Sequence, residues 1–103
     1  APVLVLDEPT SFLDLGHQMD VLELIAELRS ERSLTVVCTL HDLTVVGQFA
    51  DRIAVLDGGR LVEHGTPGDV LTPEVIARHW GVEVHTERHD DDSVSVSVRR
   101  RGR

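Results

Sequence analysis

Four consecutive aliphatic residues, Val3-Leu4-Val5-Leu6, run straight into two carboxylates and a proline, Asp7-Glu8-Pro9. No other stretch limits the fold so much. A branched aliphatic run without polar alternation suits a strand buried on both faces, the condition of a central parallel strand. Pro9 has no N–H to give a ladder, so the strand stops there. Two acids are thereby set at the carboxyl edge of a parallel sheet, where open α/β folds place their ligands. One acid can help hold a hydrated Mg²⁺ while its neighbour orients or deprotonates a water. On these residues alone, a core strand ending in a solvated acidic turn is the better description.

The rest of the composition narrows the field. At 103 residues and 41% hydrophobic content the chain is long enough for one small globular domain at most, with a modest core. Aromatics are scarce (Phe12, Phe49, Trp80), so aliphatic packing carries that core. The net charge of −8 argues against nucleic-acid binding, which relies on cationic side chains neutralising phosphates. The tail Arg99-Arg100-Arg101-Gly102-Arg103 is short and reads as a solvated end. All 10 basic residues are Arg, so the phosphate-cradling loop G-x-x-x-x-G-K-[ST], which needs its Lys, is not in this sequence. Cys38 is single, which rules out an internal disulfide and fits a reducing compartment. No run is long enough to span a membrane, and no signal peptide is visible, so membrane association is expected through a partner.

Along the chain, Asp14 is a good N-cap, and apolar residues from Leu15 to Arg29 follow helical spacing with Glu23, Glu27 and Glu31 mostly opposite. Ser30 to Ser33 form the expected break. Leu34 to Leu40 is a second β-rich run, so strand, helix and strand make a βαβ unit with parallel strands. Parallel strands end at one edge, which brings His41 to the same rim as Asp7 and Glu8. Asp42 caps a short helix to Ala50, with Val46, Phe49 and Ala50 as its expected buried face. Gly47 within it costs up to about 1 kcal/mol of helix propensity.

Ile53 to Leu56 and Arg60 to His64 flank the turn Asp57-Gly58-Gly59, an antiparallel hairpin. Gly65 to Gly68 read as a break. Thr72-Pro73-Glu74 opens a helix that ends near Trp80, before Gly81. Val82, Val84 and Thr86, then Val94, Val96 and Val98, alternate with polar residues around His89-Asp90-Asp91-Asp92, giving a second hairpin. His64 and His79 read as ordinary surface residues. His85 and His89, four apart on a strand and beside a turn, do not make a metal site.

VLVLDEPTSFLD, from Val3 to Asp14, resembles the Walker B and D-loop of ATP-binding-cassette (ABC) ATPases, and TLHDL around His41 resembles their switch loop. Leu13-Asp14-Leu15-Gly16-His17-Gln18 is similar to the importer ATPases of iron–siderophore, haem and cobalamin uptake. So are Ala50-Asp51-Arg52, the Asp57–Arg60 turn, Gly65-Thr66-Pro67 with Val70–Pro73, and Trp80-Gly81-Val82.

The resemblance implies an α/β chain with a partial P-loop NTPase (ABC ATPase) fold: a parallel βαβ core followed by a C-terminal antiparallel hairpin and helix. Residues 1–81 would be the C-terminal part of the ATPase domain and 82–103 a β-hairpin extension with a basic tail. The cofactors it implies are ATP and Mg²⁺. Asp7 would bind Mg²⁺ through water, Glu8 would be the general base, and His41 would contact the γ-phosphate. Ser11 and Asp14 would lie in the D-loop, facing a second ABC ATPase subunit in a head-to-tail homodimer. Membrane permease subunits would be the further partners, holding the protein at the cytoplasmic face of the cell membrane.

The sequence lacks the family's Walker A and LSGGQ-type motifs and does not begin with Met, as the C-terminal part of a longer transport ATPase would. Such a chain alone is expected to bind nucleotide weakly, hydrolyse little, expose an unpaired apolar edge and tend to aggregate. Two other readings compete: a non-catalytic ABC remnant that docks on an intact homologue, and a non-transport ABC ATPase of DNA repair or translation.

Overall fold

The aliphatic run becomes strand β1 (Val3–Asp7), which lies parallel to β2 (Thr35–Thr39) with Val3 opposite Thr35 and Asp7 opposite Thr39. Helix α1 (Leu15–Arg32) connects them. The computed structural model describes residues 3–10 and 13–99. These fall into two units, residues 1–41 and 42–103.

In the first unit, Asp14 caps α1 by accepting from the His17 N–H, as the sequence predicts. The helix continues past the expected break at Ser30 to Arg32. Ser30 and Glu31 face solvent, and Arg29 and Arg32 complement the negative end of the helix dipole, so nothing stops the helix earlier. It ends where Ser33 turns left-handed at φ 52° and gives its N–H to the Arg29 carbonyl. Leu22 is the buried residue of α1; Met19, Ile25, Ala26 and Leu28 are half-buried, while Leu15 is exposed.

The two strands are not buried on both faces. Leu4 and Leu6 with Val36 and Cys38 form the half-buried face, whereas Val3, Val5 and Val37 are 61%, 70% and 50% exposed. Among its described residues the unit holds one helix, enough to shield one side of a two-stranded sheet but not the other.

The second unit begins with α2 (Leu43–Phe49), capped by Asp42 through the Thr44 N–H. An antiparallel pair follows, β3 (Ile53–Asp57) and β4 (Arg60–Gly65). Gly58 and Gly59 join them at φ 58° and 79°, the two left-handed positions that a tight hairpin turn demands. Thr66 then caps a one-turn helix, α3 (Pro67–Val70), where the sequence predicts only a break. Helix α4 (Pro73–Trp80) starts at the Thr72 cap and ends at Gly81, φ 70°. A second antiparallel pair, β5 (Val84–Arg88) and β6 (Val94–Val98), closes the chain.

This unit's core joins elements far apart in sequence: Val70, Leu71 and Ile76 pack with Val84, Val94 and Val96. The valine alternation in the last hairpin therefore faces inward at its centre, while Val82 and Val98 at its ends are exposed. On α2 the buried residues are Val45 and Gly47, with Val46, Phe49 and Ala50 half-buried. Gly47 is explained by closeness. A Cβ there would come within 2.2 Å of the Val94 carbonyl oxygen, so a side chain is excluded where α2 meets β6. His79 is not a free surface residue: it is half-buried, and its Nε2 lies 3.2 Å from Glu63 Oε1, which Arg78 also approaches.

Candidate functional site

The site lies where β1 and β2 end together. Parallel register places Asp7 beside Thr39. The Thr39 hydroxyl donates to Asp7 Oδ1 at 2.5 Å and accepts from the Glu8 N–H at 2.9 Å. The same N–H also reaches the Thr39 carbonyl at 3.1 Å, carrying the ladder one residue past β1. Glu8 itself takes a left-handed backbone, φ 47°, uncommon for a residue with a side chain. Its carboxylate Oε1 meets Nε2 of His41. The Glu8 and His41 side chains are 39% and 86% exposed, so this pair opens to solvent.

Asp7, Glu8 and His41 are therefore brought together as the sequence predicts. Thr39 is the residue that sequence reasoning missed. The sequence offered only a hydroxyl near the end of a predicted strand, and the register that sets Thr39 opposite Asp7 gives it its role. Asp14 sits apart from this group by its contacts, at the head of α1, where its carboxylate is engaged by His17. Ser11 lies outside the described residues. Behind the rim, burial pushes the Cys38 thiol up from its ordinary pKa.

Chemically, the rim offers two carboxylates, a hydroxyl and an imidazole. Asp7 and Thr39 supply oxygen, the donor type a hard cation such as Mg²⁺ takes. Among the described residues no group of three or more His, Cys, Asp or Glu could hold a metal ion. Such a donor set fits Mg²⁺ that keeps its waters and leans on phosphate oxygens, not one enclosed by protein. Glu8 brings a carboxylate able to accept a proton, and His41 an imidazole able to donate a hydrogen bond.

No family model matches the sequence. Curated relatives do. The petrobactin import ATP-binding protein FpuC of Bacillus anthracis is 44% identical over 82 residues, which is 80% of this chain and 30% of that protein. The hemin import ATP-binding protein HmuV of Rhodococcus jostii is 43% identical over 95% of this chain and 33% of its own length. The chain thus spans about a third of the length of these relatives. Among solved structures, a chain from a metal-chelate-type ABC transporter in an inward-facing conformation superposes with a TM-score of 0.80 at 25% identity. That match covers 96% of this chain and 40% of the other. CbiO1 of Clostridium perfringens, part of the ABC transporter complex cbiONQ, gives 0.64 at 32% identity over 74% of this chain and 30% of that one. The paired strands ending in Asp7-Glu8 and His41 are therefore part of an ABC ATPase fold, and the chain belongs to the ABC transporter ATP-binding proteins as a segment of that domain.

Proposed function

We propose that this chain is the C-terminal part of the ATP-hydrolysing subunit of an ABC importer. Its cargo is iron–siderophore, haem or cobalamin. Residues 1–81 belong to the ATPase domain, and 82–103 form an extension whose valines complete the core of the second unit. The observation that carries the reading is the meeting of Asp7, Glu8, Thr39 and His41 at the ends of two parallel strands. The petrobactin and hemin import relatives support the choice of cargo class.

In this reading Asp7, oriented by the Thr39 hydroxyl, holds Mg²⁺ through water. When bound, Mg²⁺ neutralises charge on the ATP phosphates. Glu8 takes the proton of the attacking water, and His41 donates a hydrogen bond to the γ-phosphate. The Glu8–His41 contact keeps the two groups at one place before nucleotide arrives. Ser11 and Asp14 face a second subunit across a homodimer. Permease subunits hold the assembly at the cytoplasmic face of the membrane; no described helix is long and apolar enough to cross one itself.

The test is Glu8→Gln in an intact subunit carrying this segment. Loss of a general base lowers the hydrolysis rate by about 10²–10⁴-fold while ATP still binds. Hydrolysis at the unaltered rate in this variant would overturn the assignment of Glu8.

A further inference from the structure

We propose that His17 and Gln18 form a two-pronged clamp that sets Asp14 at the head of α1, and that both are positioning residues for this acid. The inference rests on the reading above, in which Asp14 faces a second subunit.

An ordinary N-cap needs only one backbone N–H from the first turn. Asp14 has that contact, from the His17 N–H to Oδ1 at 2.9 Å. It also has a second on the same oxygen, because His17 Nδ1 lies 2.9 Å from Oδ1. That geometry calls for a hydrogen on Nδ1, which the imidazolium and one neutral tautomer both carry. The next residue holds the peptide behind Asp14. Gln18 Nε2 donates to the Leu13 carbonyl at 3.0 Å, and Gln18 N–H to the Asp14 carbonyl at 2.9 Å. Consecutive side chains thus fix the carboxylate and the carbonyl preceding it. Rotating the carboxylate would need two contacts broken, and turning the Leu13 carbonyl away would break the Gln18 contact. Helix stability alone requires neither side-chain contact, since the backbone donors already serve the cap.

The distinction gives the experiment. In an intact subunit carrying this segment, Gln18→Glu removes the donor to Leu13 but places a carboxylate in the first helical turn, where the helix dipole favours it. His17→Leu removes the Nδ1 contact, and His17→Asn keeps an N–H within reach. We expect Gln18→Glu and His17→Leu each to lower kcat for ATP hydrolysis by about tenfold. KM for ATP should stay within about twofold and Tm within about 2 °C. His17→Asn should restore most of the rate. Unaltered kcat in both disabled variants, or losses that follow Tm, would overturn the clamp. If the unaltered subunit hydrolyses no ATP, the ATPase reading fails instead. The clamp is then decided by NMR on that same subunit, where averaged Gln18 side-chain amide signals refute it and a slowly exchanging, dispersed pair supports it.

Discussion

Thr39 shows how much one hydroxyl can organise. It accepts from the Glu8 N–H and donates to Asp7, tying the two neighbouring acids to the opposite strand. Thr39→Val keeps the shape and removes both contacts. Because the rim is solvated, water replaces part of what is lost, and urea unfolding should show a cost of only about 1 kcal/mol. Hydrolysis in an intact subunit should fall further than that, with Thr39→Ser recovering it; equal effects would make Thr39 merely structural. Cys38, one residue earlier, gives a pH signature. Burial raises its folded-state pKa, so the folded chain holds the thiol proton more tightly than the unfolded one. Its contribution to stability is present below the unfolded pKa and is lost as pH rises through the folded value. Unfolding midpoints should therefore decline in the alkaline range in the native chain and stay flatter in Cys38→Ala, and alkylation at pH 8 should be slower than in urea. The acids and histidine of the rim were legible in sequence because the strand-ending pattern and βαβ topology place them; Thr39 was not, because its role depends on register.

At the scale of elements, caps and turns were the most legible parts. Asp14, Asp42 and Thr72 each cap the helix expected of them, and Gly58-Gly59 turns the hairpin. Local hydrogen bonding decides such features, so neighbouring residues suffice to read them. What escaped depends on distant partners. The buried face of α2 is set by the approach of β6, where the Thr44 hydroxyl donates to the Val96 carbonyl 52 residues away in sequence, and not by the helix's own pattern. The turn at Pro67 becomes helical because Thr66 caps it and Val70 enters the core. Gly47→Ala tests the packing argument. Helix propensity alone favours the change by up to about 1 kcal/mol. The 2.2 Å approach to the Val94 carbonyl opposes it, at an overpacking cost of about 1–3 kcal/mol. We expect a lower urea midpoint in the variant; a higher one would show that α2 and β6 separate easily.

For the molecule as a whole, the exposed valines of β1 and β2 are the clearest sign of what this segment needs around it. Val3, Val5 and Val37 are at least half exposed, as are Leu56 and Leu61 in the β3–β4 hairpin. Exposed apolar side chains of this kind favour association. The isolated chain should bind a hydrophobic dye and form larger species as its concentration rises, while titration with Mg-ATP shows no saturation below about 1 mM. Micromolar binding would mean that the rim suffices for nucleotide without the rest of the domain. The left-handed backbone of Glu8, φ 47°, has a different consequence at this scale. Glycine adopts that conformation freely, so Glu8→Gly exchanges the carboxylate proposed as the general base for relief of strain, a gain of up to about 1 kcal/mol after glycine's own entropy loss. A mutant library sorted only for yield would then enrich glycine at position 8, the best-expressed clones being those that had given up their chemistry.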